Sequence, residues 1–122
     1  MLCEELTEQI IGAAIAVHKA IGPGLKEQSY HAAMAMEFMA LGLQFQREPV
    51  FRVTYRGTTV GEHIPDFIVE NAVVVELKAT SSIEPVFTTQ VLTYLRLSGL
   101  RVGLIINFNV DALRFGIKRI VK

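Results

Sequence analysis

Residues 65–79 read "PDFIVENAVVVELKA". Asp66 opens one apolar run, and Glu76 and Lys78 close the next. Side chains alternate faces along a strand, so Glu76 and Lys78 point the same way, ~7 Å apart along the chain. Such a pair can do two things. The two charges can neutralise each other, or both can point at a third party: the carboxylate at a divalent metal, the ammonium at a water or a phosphate oxygen. A cation of the Mg²⁺ type takes one or two carboxylates and keeps several waters. It lowers the pKa of a bound water and neutralises charge on a phosphoryl group. Lysine adds a compact positive charge beside the reacting atoms. The run "VVVELKA" reads as interior, where unpaired ions are costly, and this opposes a mere surface ion pair.

Asp66, at the head of the preceding strand, is the expected second carboxylate. Strand parity sets a condition. A two-residue loop at Glu70-Asn71 would put position 66 opposite position 75, with Asp66 and Glu76 on opposite faces of the sheet. A three-residue loop, Glu70-Asn71-Ala72, brings them to one side. Asn71 tolerates the left-handed backbone of such a turn. A bulge near Asp66 would serve equally. An irregular hairpin is therefore expected.

The elements that must position these groups follow from hydrophobic spacing. Leu6, Ile10, Ala13, Ala14 and Val17 predict a helix over residues 4–20. "GPG" at 22–24 stops it. Tyr30, Met34, Phe38 and Leu41 predict a second helix over 25–41, with Gly42 as its stop. The period then changes to two. "FQREPVFRVTYRG" reads as a strand with Arg56-Gly57 as its turn, and "TTVGEHIPDFIVE" and "AVVVELKAT" read as further strands. The β-branched run "VVV" suits a strand covered on both faces. A third helix is expected over 86–98, with Val91, Leu92 and Leu95 on one face and Gly99 as terminator. "RVGLIINF" reads as a buried strand. "LRFGIKRIV" reads as a last one, with Leu113, Phe115 and Ile117 inward and Arg114 and Lys118 outward. The strands flanking the third helix are expected to be parallel, joined by a crossover. The class is α/β, a sheet with helices packed on it.

With these elements in place, the chain resembles a known family. "PD", followed ten residues after its Asp by "ELK", is similar to the motif of the PD-(D/E)XK nuclease superfamily. "QVLTY", Gln90 to Tyr94, resembles the Q-x-x-x-Y motif of its RecB-like branch. "GLKEQSY", Gly24 to Tyr30, matches the motif that names the GxxExxY protein family, and "AVHKAIGPG" and "GLIINF" resemble that family too. The resemblance runs from about His18 to Val121. It implies a restriction-endonuclease-like core, a mixed central sheet flanked by helices with two N-terminal helices, in one domain over 1–122. It implies Asp66 and Glu76 as ligands of Mg²⁺ or Mn²⁺, with the carbonyl of Leu77 as a further one. It implies Glu27 facing the same metal directly or through water, and Lys78 orienting or activating the attacking water. Gln90 and Tyr94, four apart on one helical face, would line the site and steady the lysine or the nucleic acid. No motif position is substituted.

Several of these residues have plainer readings. Were Gly24 the N-cap, Glu27 would be the third helical residue, where a carboxylate caps and complements the dipole. Tyr30 suits a core aromatic whose hydroxyl finds one partner. Gln90 and Tyr94 would be ordinary helix residues elsewhere. His18 either approaches the site or packs at a helix end. His31 and His63 have no evident partner, and His63 falls on the face opposite Asp66. There is no Cys/His spacing for structural zinc, no Lys-Ser/Thr after "GPG" for a Walker motif, and no nucleophile elbow.

Composition narrows the function classes. The chain has 122 residues, 51% hydrophobic and 20% charged, with formal net charge zero. That supports one filled core and excludes disorder. Bases concentrate from Arg96 onward, where they could meet phosphates or form a solvated face. One cysteine, Cys3, rules out an internal disulfide and suits a reducing cytoplasm. No export signal is read. "IIGAAIAV" is far shorter than the ~20 residues of a membrane span, so no membrane partner is expected. The expected activity is a metal-dependent phosphodiesterase acting on nucleic acid, DNA ahead of RNA. The rival is a binding or scaffold protein that keeps the fold and polar pocket without turnover. Neutral charge and small size favour the rival, since little surface remains to grip a duplex. A homo-oligomer or a protein partner could supply that surface.

Overall fold

The computed structural model describes residues 3–122. In chain order the elements are α1 (Glu4–Ile21), α2 (Glu27–Ala40), β1 (Phe45–Arg47), β2 (Phe51–Tyr55), β3 (Thr58–His63), β4 (Phe67–Val69), β5 (Val73–Lys78), α3 (Pro85–Ser98), β6 (Val102–Asn107), a 3₁₀ turn (Leu113–Gly116) and β7 (Ile117–Val121). Five strands form a mixed sheet in the order β1-β4-β5-β6-β7, and β2 and β3 form a separate ribbon. The β5–β6 pair is parallel, and α3 is its crossover. The other pairs of the sheet are antiparallel. This is the α/β, restriction-endonuclease-like architecture, with α1 and α2 on one face and α3 on the other. Among the described residues no helix is long and apolar enough to cross a membrane.

The continuous apolar run of β5 serves two cores at once. Val73, Val75 and Leu77 face α1 and α2, together with Phe67, Leu104, Ile106, Ile10, Met34 and Phe38. Val74 faces α3, together with Ile68, Ile105, Val91, Leu95 and Ile120. Val73, Val74, Val75 and Leu77 are all fully buried, and each contributes roughly 1.5–3 kcal/mol of hydrophobic stabilisation. Opposite parity leaves Glu76 and Lys78 on the α3 side, at the end of the central strand. Gly103 lets α3 approach: a Cβ there would meet Val91 Cγ1 at 2.5 Å.

The structure corrects four expectations. The run around "FQREPVFRV" is two strands, since Glu48 is left-handed (φ 52) and Pro49 has no N–H to pair. "TTVGEHIPDFIVE" likewise breaks at 64–66, where Pro65 interrupts the ladder. Its halves belong to different sheets. The second helix begins at Glu27, after an extended Lys26 (φ -71, ψ 150), so Glu27 is its first residue, not its third. Finally, residues 113–116 coil into a 3₁₀ turn, and Phe115 is 71% exposed rather than inward. The cause is Gly116, which packs against the Asn107 carbonyl so closely that no Cβ would fit.

Candidate active site

The hairpin between β4 and β5 decides the geometry. Its loop is the three residues 70–72, with Glu70 and Asn71 both left-handed (φ 52 and 49). The Ala72 amide donates to the Val69 carbonyl at 3.0 Å. The register pairs Phe67 with Val75, so the next position outward sets Asp66 against Glu76 on one face. Two hydrogen bonds lock this end. The Asp66 amide donates to Glu76 Oε1 at 3.0 Å, and the Leu77 amide donates to Asp66 Oδ2 at 2.7 Å. Each carboxylate is thus held by the backbone of the opposite strand. Leu77 joins through its amide, and its side chain is buried on the α1–α2 side.

Lys78 extends the same face. Its Nζ lies 3.7 Å from Glu76 Oε2, donates to Gln90 Oε1 at 3.2 Å, and sits 4.4 Å from the Phe87 ring centroid. Gln90 and Phe87 lie on the first turns of α3, so the helix clamps the lysine from above. One turn on, the Tyr94 hydroxyl donates to the Ile64 carbonyl at 3.4 Å. It thereby ties α3 to the segment leading into Asp66. Strand end and loop are fixed from below by Asn107. Its Oδ1 accepts from the Thr80 and Asn109 amides at 3.0 and 3.2 Å, and its Nδ2 donates to the Thr80 carbonyl at 2.8 Å. The Phe108 amide donates to the Lys78 carbonyl at 2.9 Å.

Glu27 reaches the site from α2. Gly22-Pro23-Gly24 turns the chain, and Tyr30 pins that turn. Its hydroxyl donates to the Gly22 carbonyl at 2.6 Å and accepts from the Leu25 amide at 3.2 Å. The ring stacks on Phe108 at 4.3 Å. Glu27, Gln28, His31, Glu48 and Asp66 line a cavity of about 350 Å³. His31 is the participant that sequence reading missed. Its ring stacks on Phe67 at 4.4 Å, Nδ1 accepts from Arg47 Nε at 3.2 Å, and Nε2 lies 3.7 Å from both Asp66 Oδ1 and Glu48 Oε1. With Nδ1 turned to Arg47, Nε2 is the ring atom that faces the two carboxylates, buried and beyond hydrogen-bond distance of either. His31 follows Glu27 by four residues, and that helical spacing was the available signal. His18 stays away and packs: its Nε2 lies 2.8 Å from the Val110 carbonyl. His63 ends β3 in the separate ribbon.

The electrostatics mark this cluster as short of positive charge. Burial, and next the Asp66 charge, pushes the Glu76 carboxyl up to about 8. Burial also raises Asp66, against the pull of the Leu77 amide. Burial and then the Asp66 charge raise Glu27. Burial followed by the Glu76 and Asp66 charges pushes Tyr94 up to about 12. Lys78 alone does not neutralise three neighbouring acids. Among the described residues no group of three or more His, Cys, Asp or Glu side chains closes around one metal position. Two carboxylates suffice for a hard cation that keeps several waters, and the donor set of Asp66 and Glu76 fits one.

Comparison with known proteins agrees with this geometry. The family model of the PD-(D/E)XK nuclease superfamily matches residues 4–120. Neither the curated proteins nor the solved structures gave a match. An acid at the head of one strand, set against the glutamate of a Glu-x-Lys triplet in the next, is what that superfamily's name spells, and this chain belongs to the PD-(D/E)XK nuclease superfamily.

Proposed function

We propose that the protein is a Mg²⁺- or Mn²⁺-dependent nuclease of the RecB-like, GxxExxY kind, cutting phosphodiester bonds of DNA in preference to RNA. The observation that carries this reading is the pairing of Asp66 with Glu76 on one face, with Lys78 beside them. Asp66 and Glu76 would hold the cation, with Glu27 directly or through water and the Leu77 carbonyl as further ligands. When bound, the metal acidifies a water and offsets charge on the phosphoryl group.

The chain's own groups do the rest. Lys78 is mostly buried, held by Glu76, Gln90 and the Phe87 ring. Its ammonium is therefore aimed rather than floppy, ready to orient a water or a non-bridging oxygen. Phosphodiester hydrolysis is limited by charge building on the phosphoryl oxygens, so fixed positive charge in a partly dry site supplies most of the acceleration. Gln90 and Tyr94 keep Lys78 and the segment leading into Asp66 in place. The cytoplasm is the working place we assign, and a second copy or a partner protein would widen the grip of a chain with no net charge.

The test is cleavage of single- and double-stranded DNA and of RNA, with Mn²⁺ or with EDTA. Glu76→Ala and Lys78→Ala run alongside. Metal-dependent cutting by the parent, lowered ~10²-fold or more in both variants, supports the nuclease. Persistent inactivity on every substrate, with no metal uptake by calorimetry, overturns it in favour of a silent scaffold.

A further inference from the structure

The β2–β3 ribbon is unexplained by the site. It hydrogen-bonds to no strand of the main sheet, and a lone two-stranded hairpin is marginal in water. Its root is nevertheless built into the site. The Glu48 amide donates to the Asp66 carbonyl at 2.9 Å, which closes the two ends of the ribbon together. Phe51 packs on the α3-side core, and Tyr94 holds Ile64. Its far end is equipped for contact. Tyr55 is 63% exposed, and the Arg56 guanidinium covers its ring at 5.5 Å. The tip is the tight turn Arg56-Gly57, both left-handed (φ 50 and 79).

Guanidinium groups stand at both ends of the ribbon. Arg47 ends β1 beside His31, and Arg56 lies at the tip; Arg52, between them, sits on the face opposite Tyr55 in an exposed pair with Glu62. From Phe51 to Tyr55 a strand spans ~14 Å, at most about four nucleotides at the ~3.4 Å per-strand rise of a duplex and fewer for an extended single strand. An exposed aromatic backed by arginine is the arrangement on which an unpaired base stacks while its phosphate meets the cation.

We propose that the β2–β3 ribbon is an arm that grips a single-stranded nucleic acid several nucleotides from the cleaved bond, stacking a base on Tyr55 and pairing a phosphate with Arg56. This deepens the nuclease reading and rests on it for the identity of the ligand. Its test needs no turnover. Anisotropy of fluorescein-labelled dT12 and dT4 is titrated in EDTA, so nothing is cut. The parent binds dT12 more tightly than dT4. Tyr55→Ala weakens dT12 by about tenfold, and Tyr55→Phe keeps the affinity. Arg56→Asn, chosen because Asn accepts the left-handed turn, lowers the salt slope for dT12 by about 0.7. Thermal midpoints and mass by light scattering stay at parental values. Three results overturn the proposal: no binding of dT12 by the parent, unchanged dT12 affinity in Tyr55→Ala, or a change in oligomeric mass instead of affinity. Because cleavage plays no part, a failed nuclease assay and a failed arm are told apart.

Discussion

Replacing Glu76 by glutamine separates stability from function at the centre of the site. Glu76 is 5% exposed, and its carboxyl is pushed from 4.5 up to about 8 by burial and by Asp66. The folded protein therefore holds this proton more tightly than the unfolded chain does. The stabilisation is complete below pH 4.5 and is lost as pH rises through 8. At about 1.4 kcal/mol per pH unit the ceiling on that loss is roughly 5 kcal/mol. Relaxation and water entry take about half of it, leaving about 2–3 kcal/mol. Glutamine keeps the acceptor for the Asp66 amide and has no proton to lose. In urea with EDTA, the midpoints of parent and Glu76→Gln should coincide near pH 4.5. By pH 8.5 the variant should lead by about 1–2 M. Adding Mn²⁺ should reverse the order, since a cation at a thousand times its Kd stabilises the parent by about 4.1 kcal/mol and has lost a ligand in the variant. Parallel pH dependences in the two proteins would refute the claim that Glu76 is a buried, cation-seeking acid.

Three further outcomes follow from the packing. Gly103→Ala drives a methyl into Val91 Cγ1 and should cost about 1–3 kcal/mol by urea unfolding, with part restored by adding Val91→Ala. Asn107→Ala removes the acceptor and donor that bind Thr80 and Asn109. It should cost about 2–4 kcal/mol and raise amide exchange at Thr80 more than at α1. Tyr30→Phe leaves the Gly22 carbonyl and the Leu25 amide without their partner. It should cost about 1–3 kcal/mol, with hydrogen exchange rising first at Leu25. Exchange spread evenly over the chain would contradict that local role.

How much was legible depended on whether a local rule or a distant contact decided. The buried central strand was readable because "VVV" has no polar alternation, and only double coverage suits it. The shared face of Asp66 and Glu76 was readable because strand parity leaves two answers, and Asn71 favoured the odd loop. Gln90 and Tyr94 face the same side because residues four apart share a helical face, and there Gln90 meets Lys78 while Tyr94 meets Ile64. The rest needed tertiary information. Which sheet a strand joins is not encoded in its alternation, so the breaks at Glu48 and Pro65 went unread. β1 pairs with β4 across a ribbon that intervenes in sequence. His31 becomes part of the site only because α2 lies over Phe67. Three alternating residues at 113–117 suited a strand, and the contact of Gly116 with Asn107 lies outside any local pattern.

The central claim is that Asp66 and Glu76 hold one divalent cation between them. Anomalous scattering from crystals grown with Mn²⁺ reads that directly. The account predicts a single strong peak bonded to a carboxylate oxygen of each, with Lys78 beside it and water completing the shell. A map with no peak there, or with Mn²⁺ bound elsewhere while the two carboxylates stay protonated and empty, would contradict it.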